Sequence, residues 1–375
     1  MSMKVALLFP GGVRQIRLQG SQKLSNPREF FYGKEGIERI GYKTTLIDSR
    51  ADPKNLSQHF MRFKERAKTR FSGFSLCEQR VEAIREQIVR NDFAVSFTDN
   101  FSLSLGFLSN TFPKNTILVG GFHGLADIED GIPSGRRKHV HNMIIECLAG
   151  LEHVFFFGKA DMEESRKKYD LSHERSSLFP FGIDIDFWNN CKKTTRAGVL
   201  AVGSDLKRDY ETLLEADIEA PMTILTKLKI DSKKIKSDVT IASGSLHGSN
   251  ITDQKLRDMY HSAAVVAVPT RDVWQPSGYS VSLQAMACGC PIVLSDTKGL
   301  WDRELFLSEE NCILVPPNDP IELSKAINKL LVDKELNDKI GMAGFITAKK
   351  HFSLHRMEKG LCDLINDIKE RKVIL

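Results

Sequence analysis

The stretch VWQPSGYSVSLQAMACGCPIVLS, residues 273–295, decides the fold of this chain. It ends in the apolar run 291–294, and a second continuous apolar run, 263–268, precedes it. Short apolar runs of this kind are typical of strands buried on both faces of a parallel sheet. Between them we predict a helix whose start Ser277 is suited to cap, while Gly278 permits close approach to its backbone. The free N–H groups at that helix start predict an anion-binding site between two buried strands.

Length, charge and cysteine usage limit the class of protein. A chain of 375 residues exceeds what one hydrophobic core normally serves, so we expect two domains. No run of eighteen apolar residues occurs, and the N-terminal MSMKVALLFP reads as a first strand, which favours a cytoplasmic protein. Seven cysteines without CxxC spacing favour neither a disulfide framework nor a zinc site. The net charge of +5 suits anionic ligands and does not call for nucleic acid.

Strand and helix patterns alternate along the whole sequence, which is typical of doubly wound α/β domains. The alternation stops over 179–196, and a fresh apolar strand begins at 198–202. We therefore expect an N-terminal domain over 1–190, a second domain over 191–352 and a separate terminal helix within 353–375.

Two segments carry a resemblance to a known family. PSGYSVSLQAMACGCPIV, residues 276–293, resembles the donor-site motif E-x-F-G-x-x-x-x-E-A-M-A-x-G-x-P-V-V of the retaining GT-B glycosyltransferases of family four, the glycosyl transferases group 1. PFGID, residues 180–184, resembles the P-x-G-I-D segment that usually ends their N-terminal domain. Both motif glutamates are missing, since Gln284 stands at the second and the count places Pro276 at the first. The resemblance implies a GT-B fold, with two Rossmann-like domains facing a cleft and the terminal helix crossing back onto the N-terminal domain.

The resemblance also implies a donor site in the second domain. Family members commonly read G-R-x-x-x-x-K-G after its first strand, and here Ser204 stands in place of the arginine, with Lys207 and Arg208 later in the loop. These two cations would neutralise a leaving diphosphate, or they are merely exposed loop charges. Gln284 would bind the ribose hydroxyls, or it is a plain polar residue of the helix. The predicted donor contacts in this domain are Ser204, Lys207, Arg208, Ser277, Gly278, Tyr279, Ser280 and Gln284.

Two loops of the first domain complete the predicted site. Gly11 and Gly12 follow the first strand, where they would lie over the donor diphosphate or the acceptor, or simply form a strand-to-helix turn. His123 lies in the loop GGFHGLAD at the carboxyl end of the strand 116–119, the edge where open α/β sheets bind ligands. We assign it a catalytic contact to the transferred sugar or the acceptor, with a structural histidine as the alternative.

Two further patterns bear on metals and membranes. Asp184-Ile-Asp186 has the D-x-D form with which glycosyltransferases of another fold hold a divalent cation, but it lies at the expected domain boundary. We therefore expect no metal and no cofactor besides the nucleotide sugar. The region from Phe60 to Phe71 interleaves basic and aromatic residues, which indicates either a solvated helix face or a peripheral contact with the inner face of the membrane.

Taken together, these patterns predict a retaining glycosyltransferase of the kind used in polysaccharide biosynthesis. It would move a sugar from a nucleoside diphosphate sugar, most often UDP-linked in this family, to a saccharide or lipid-linked acceptor. One alternative is a sugar-nucleotide-binding protein that has lost catalysis, suggested by the missing glutamates. Another is a nucleotide-sugar epimerase, disfavoured because no strong set of carboxylates is in evidence. A dinucleotide oxidoreductase is disfavoured because neither half has a complete G-x-G-x-x-G followed by an acidic residue.

Overall fold

The structure, a computed structural model, describes residues 2–11, 14, 18, 26–49, 52–53, 55–189, 195–243 and 251–374. The chain divides into two compact units. The first comprises Met1–Gln22, Phe31–Pro180 and Glu358–Leu375, and the second comprises Lys23–Phe30 and Phe181–Met357. The division thus falls between residues 180 and 181, ten positions before the expected boundary, and a short segment of the first half belongs to the second unit.

The first unit is built on a parallel sheet. In its described part, six strands follow the order β2-β1-β3-β4-β5-β6 and all pairs are parallel. The apolar runs of the sequence form its centre because side chains on both faces are buried, and Val5, Ala6, Leu7 and Leu8 have no exposed surface. The strands are β1 Lys4–Pro10, β2 Lys43–Ser49, β3 Phe93–Ser96, β4 Ile117–Phe122, β5 His153–Phe156 and β6 Ser176–Leu178.

Helices cover this sheet, and one of them differs from expectation. The apolar pattern over 27–39 predicts a single helix, but the chain forms a 3-10 turn at Arg28–Phe31 and a helix at Lys34–Arg39. Tyr32 and Gly33 separate them, because both adopt positive φ values of 48° and 88°. Most of the 3-10 turn belongs to the second unit. Besides Lys34–Arg39, the α-helices of the first unit are Leu56–Ser72, Glu78–Ala83, Arg85–Ile88, Asp99–Phe107, Ser134–Ala149 and Lys159–Tyr169.

The second unit contains a second parallel sheet. Its described strands follow the order β12-β11-β10-β7-β8-β9, which, numbered within the unit, is the 3-2-1-4-5-6 order of the classic dinucleotide-binding fold read from the other edge. The strands are β7 Val199–Val202, β8 Met222–Thr226, β9 Val239–Ser243, β10 Val265–Val268, β11 Ile292–Ser295 and β12 Ile313–Val315.

The helices of the second unit follow the predicted alternation. The Pro320–Val332 helix illustrates the local cause: Asp319 accepts hydrogen bonds from the N–H groups of Ile321 and Glu322, each at 3.0 Å, and Pro320 occupies its first turn. The last helix starts in the second unit and continues into the first. The helices are Ile185–Trp188, Tyr210–Glu215, Asp253–Ser262, Tyr279–Ala287, Pro320–Val332, Lys334–His351 and Leu354–Ile374. Among the helices that the structure describes, none is both long and apolar enough to cross a membrane.

A close helix contact in the first unit gives a test of the packing. A methyl group on Gly106 would overlap the carbonyl oxygen of Cys147, where the Asp99–Phe107 and Ser134–Ala149 helices meet. We expect Gly106→Ala to lower the free energy of unfolding by about 1–3 kcal/mol, the usual cost of overpacking. The measurement is chemical denaturation of the full chain.

The matched control is Gly131→Ala, because a methyl group there meets no heavy atom within 4 Å. It should change the unfolding free energy by no more than about 0.5 kcal/mol. Equal losses in the two variants would contradict this description of the helix contact.

Candidate functional site

The strand order of the second unit reverses between β7 and β10, which pair in parallel. The loops that leave these strands are joined to each other. Arg208 and Thr270 form an antiparallel bridge, and the N–H of Arg271 donates to the carbonyl of Lys207 at 2.9 Å. In open α/β sheets, ligands bind at the carboxyl ends of the strands where the order reverses. The position of this loop pair therefore makes it the first candidate for a binding site.

A buried cation occupies this place. Arg208 is only 5% exposed, and its guanidinium lies against two glycines. A methyl group on Gly203 would overlap Nε of Arg208, and one on Gly278 would lie 3.1 Å from Nη1. Both Nε and Nη1 are buried without a hydrogen-bond partner among the described residues. A buried donor without a partner costs roughly 1–3 kcal/mol, so the guanidinium is arranged to receive an acceptor that the described residues do not supply.

The predicted helix begins beside this cation, but not through the predicted cap. The Tyr279–Ala287 helix has Gly278 at its N-cap in the left-handed conformation, with φ 92° and no side-chain cap. The expectation that Ser277 caps the helix was wrong, because its hydroxyl donates to Oδ2 of Asp205 at 2.7 Å instead. The first N–H groups of the helix thus have no side-chain acceptor in the described part of the chain, beside a guanidinium.

Asp205 organises the two loops, and the sequence reasoning missed it. Besides Ser277, its carboxylate accepts from the N–H of Lys207 and from Nε2 of Gln275, both at 3.0 Å. The sequence did hold a signal for Gln275, the partner of Asp205. Counted from Gly278 instead of Gln284, the first glutamate of the family motif falls on Gln275. Ser204 lies on the same loop, and its hydroxyl accepts from the N–H of Lys227 at 2.9 Å. Asp205 therefore joins Lys207, Gln275 and Ser277 on the two loops that also carry Arg208 and Gly278.

Gln284 lies elsewhere. It is fully buried, its Nε2 donates to Oε1 of Glu29 at 3.2 Å, and its Oε1 accepts from the hydroxyl of Tyr260 at 3.3 Å. The spacing from Gly278 to Gln284 is one residue longer than in the family motif. One extra helical residue turns a side chain by about 100° around the axis, which accounts for its direction into the core. The ribose contact of Gln284 stays a prediction, and its observed bonds give it a structural role.

Glu29 is a buried acid at the centre of this core. Its Oε1 also accepts from the indole Nε1 of Trp188 at 2.7 Å, and its Oε2 accepts from the N–H of Asp184 at 3.2 Å. Burial raises the pKa of Glu29 from 4.5 to about 7. A carboxyl group thus lies in direct contact with the amide that replaces the family glutamate.

The D-x-D segment is also accounted for by contacts within this unit. Asp184 pairs with Nε of Arg28 at 2.7 Å and accepts from the N–H of Phe187 at 3.4 Å, which caps the Ile185–Trp188 helix. Across the described residues, no group of three or more His, Cys, Asp or Glu side chains is arranged to hold a metal ion. Asp184 therefore has a structural explanation.

The predicted residues of the first unit lie at its own sheet edge. Gly11 follows β1 with φ 151°, whereas Gly12 lies outside the described residues. The ring of His123 stacks on Phe157 with centroids 4.1 Å apart, and its Nε2–H donates to the carbonyl of Phe97 at 3.0 Å. The backbone N–H of His123 donates to Oδ1 of Asp99 at 3.0 Å. These contacts fix the ring, and its role toward a sugar stays a prediction.

Asp161 is a further acid near this loop that the sequence reasoning missed. Its Oδ1 accepts from the N–H of Ala126 at 2.9 Å, and burial raises its pKa to about 8. The negative charges of Asp99 and Asp127 also raise its pKa, because they disfavour a further carboxylate nearby. No sequence pattern distinguishes it from an ordinary helix residue.

The raised pKa of Glu29 predicts a pH dependence of stability. The folded state keeps the proton that the unfolded state loses, so the free energy of unfolding falls as the pH rises from about 4.5 to about 7. Glu29→Gln mimics the protonated acid and removes this dependence, which amounts to at most about 3 kcal/mol. Chemical denaturation at pH 5 and pH 8 should show a smaller loss of stability in the variant than in the wild type.

Two further variants serve as controls. Exposed Glu215→Gln should follow the wild-type pH dependence. Gln284→Glu should destabilise the protein by placing two carboxylates together, and Glu29→Gln should restore part of that loss. Parallel pH curves for wild type and Glu29→Gln would contradict the role given to Glu29.

Solved structures share this fold over nearly the whole chain. Sucrose-phosphate synthase from Thermosynechococcus elongatus is 17% identical with a TM-score of 0.69, covering 98% of this chain and 100% of that one. Alr3699/HepE from Anabaena, in complex with UDP-glucose, is 14% identical with a TM-score of 0.67 over 98% and 100%. A glycosyltransferase from Rickettsia africae ESF-5 is 13% identical with a TM-score of 0.65 over 98% of each chain. The predicted GT-B fold is thus confirmed.

Sequence comparison adds a family. A curated relative, the uncharacterized glycosyltransferase MJ1607 of Methanocaldococcus jannaschii, is 36% identical over 83 residues, or 22% of this chain. The aligned stretch spans only 20% of that relative's own length. Residues 215–333 match the family model described as Glycosyl transferases group 1. The chain therefore has the GT-B fold, and a stretch of its second unit is similar to the glycosyl transferases group 1 family.

Proposed function

We propose that this protein is a glycosyltransferase that moves a sugar from a nucleoside diphosphate sugar to an acceptor hydroxyl. The observation that carries the proposal is Arg208, a buried guanidinium beside the start of the Tyr279–Ala287 helix, with two N–H donors that find no acceptor in the described part of the chain. A diphosphate supplies the charge and the acceptor oxygens that this arrangement lacks. The family match of the same unit supports a sugar nucleotide over other diphosphates.

The same groups account for catalysis. Negative charge develops on the diphosphate as the bond to the sugar breaks, and fixed cations and N–H dipoles at that point stabilise the transition state. Arg208 and the N–H groups of Tyr279 and Ser280 provide such stabilisation without reorganisation. Lys207, half-buried on the same loop, adds a second cation. We propose that these groups meet the charge of the leaving diphosphate and that no metal ion is required.

We propose UDP as the nucleotide and retention of the anomeric configuration. The structurally similar Alr3699/HepE was solved with UDP-glucose, which favours uridine over other bases. In the retaining reaction, the acceptor oxygen bonds to the anomeric carbon on the face that the diphosphate leaves. The bond from that carbon to the diphosphate oxygen breaks with its electron pair, and the acceptor proton passes to the departing phosphate. His123 is assigned to the sugar or the acceptor.

The acceptor is proposed to be a saccharide or a lipid-linked molecule, with the protein in the cytoplasm and peripheral at the inner membrane face. The Leu56–Ser72 helix supports the membrane contact because Phe60, Phe63 and Phe71 are 58%, 67% and 68% exposed. Lys64 lies over the Phe60 ring at 4.5 Å, so cations accompany these rings. Aromatic and basic side chains together are suited to an anionic lipid surface.

Arg208→Met tests the assignment of the buried cation. We expect UDP affinity to fall at least about tenfold, since charge-assisted hydrogen bonds are lost. The melting temperature of the ligand-free variant should stay the same or rise, because the substitution removes buried donors without partners. Calorimetry with UDP and thermal unfolding measure the two effects.

The control is Arg271→Gln, because Arg271 is exposed and its guanidinium lies 4.0 Å from Glu211. It should change UDP affinity by less than about threefold, as expected for an exposed pair. A ligand-free Arg208→Met chain that melts earlier yet binds UDP normally would assign Arg208 to structure alone.

A nucleotide panel tests the donor. A ligand that binds only the folded state stabilises it by about 2.7 kcal/mol at a hundred times its Kd, so UDP should raise the melting temperature more than GDP, ADP or TDP. UDP-sugars should then be hydrolysed without acceptor, and turnover should survive EDTA.

The outcomes separate the alternatives. Binding of UDP-sugars without turnover in any lipid or saccharide extract would favour a non-catalytic binding protein. No shift with any nucleotide would overturn the donor site itself.

A further inference from the structure

The first unit has a strand reversal of its own. Its sheet order changes direction between β1 and β3, so the crevice expected for ligands lies at the carboxyl ends of these two strands. A cavity of about 560 Å³ opens there, lined by Pro10 at the end of β1 and by Thr98 to Phe101 after β3. Small-molecule sites typically have about 300–1,000 Å³. The cavity thus has the position and size of a binding site, and its lining belongs to this unit alone.

Three guanidinium groups line this cavity. Arg62 and Arg66 lie one turn apart on the Leu56–Ser72 helix, and Arg80 comes from the Glu78–Ala83 helix. Residues four apart project from the same helix face, so Arg62 and Arg66 converge on one opening. Arg62 forms an ion pair with exposed Asp52 at 3.3 Å, a contact of little energetic weight.

Two carboxylates share the lining, but both are engaged by N–H groups. Asp99 accepts from the backbone N–H groups of His123 at 3.0 Å and Gly124 at 3.1 Å. Glu65 accepts from the backbone N–H of Gln79. The three arginines therefore outnumber the carboxylates and keep a positive excess within the cavity.

A helix start and a buried hydroxyl also indicate an anion-binding site in this cavity. The Asp99–Phe107 helix begins at the cavity, and its N-cap residue Thr98 makes no side-chain cap bond. The Thr98 Oγ1 is buried and has no hydrogen-bond partner in the part of the chain that the structure describes. Buried hydroxyls in native proteins normally have a partner, so this one is available to a bound oxygen. Through Asp99, the cavity also adjoins His123, the residue assigned to the sugar or acceptor.

We infer that this cavity is the acceptor's anion subsite, in which Arg62, Arg66 and Arg80 bind the phosphate of a phosphate-bearing acceptor. The inference rests on the proposed glycosyl transfer and names the acceptor class. A neutral saccharide would leave the positive excess of this lining unmatched, whereas a phosphate monoester brings negative charge and offers oxygens to the arginines and to Thr98. The phosphate can belong to a soluble ester or to a lipid headgroup. It does not react, and a hydroxyl of the same acceptor receives the sugar.

Direct binding tests the inference independently of turnover. Glycerol 3-phosphate is titrated by calorimetry, with glycerol as the neutral probe, into chains that all carry Arg208→Met, so that the cation of the second unit cannot bind the phosphate. Arg66→Gln/Arg80→Gln is compared with the control Arg70→Gln/Arg90→Gln, which removes the same charge from arginines that do not line the cavity. All four arginines are exposed, so folding should be preserved. Flotation with phosphatidic acid vesicles, against phosphatidylcholine vesicles, supplies the lipid arm.

We expect binding of glycerol 3-phosphate but not of glycerol, a loss of at least tenfold in Arg66→Gln/Arg80→Gln, and less than twofold in the control. If Arg66→Gln/Arg80→Gln loses binding only to phosphatidic acid vesicles, the result supports a lipid headgroup. If it loses binding to glycerol 3-phosphate, the result supports a soluble acceptor. Equal losses of binding in the two double variants would overturn the inference. So would the absence of binding to both glycerol 3-phosphate and phosphatidic acid vesicles. UDP binding by Arg66→Gln/Arg80→Gln with Arg208 intact reports separately on the proposed function, since the donor site lies in the other unit.

Discussion

The buried guanidinium of Arg208, packed against Gly203 and Gly278, is the interaction around which the second unit is arranged. Removing a cation from water is costly, and this one has two N–H donors without partners among the described residues. A chain selected only for stability would replace it with an apolar side chain of similar volume. The two glycines are needed because a larger residue at either position would meet the guanidinium or its neighbour Val268. The two donors without partners among the described residues are therefore best explained by a ligand that brings negative charge.

The exchange of a glutamate for Gln284 has a physical cause within the same unit. A carboxylate at position 284 would lie against Glu29, which already accepts hydrogen bonds from Trp188 and Asp184. Two carboxylates in one buried site cannot both ionise without a large cost. Glutamine avoids that conflict because its amide donates to Glu29 and accepts from Tyr260. The missing family glutamate is thus tied to the presence of a buried acid, and its absence alone does not imply a lost activity.

Most of the fold could be predicted from the sequence because parallel strands buried on both faces require continuous apolar runs. The strand Val265–Val268 and the helix Tyr279–Ala287 lie close to their predicted positions for this reason. The break at Tyr32 and Gly33 could not be predicted, since an apolar helical pattern continues across it. For the Leu56–Ser72 helix the sequence predicts only a solvated helix face without bounds, because its surface is largely charged and its aromatic residues are exposed.

The sequence indicates the place of the candidate site but not the contacts within it, for a related reason. A strand order that reverses fixes where a ligand can bind, and loop cations such as Lys207 and Arg208 are visible in the sequence. The partner of Gln284 is not visible, because Glu29 lies 255 positions earlier in the chain.

Arginines lie at the point of strand reversal in both sheets, but Arg208 of the second unit is buried, whereas Arg66 and Arg80 of the first are exposed. Each reverses its strand order at one point, and at each point a helix start and arginines meet. In the second unit the cation is buried, so an anion there binds in a low dielectric, where its charge is strongly felt and water is excluded. In the first unit Arg66 and Arg80 are exposed and remain solvated. An exposed cluster attracts a phosphate without holding its whole molecule, which suits a site that must accept one substrate and release a larger product.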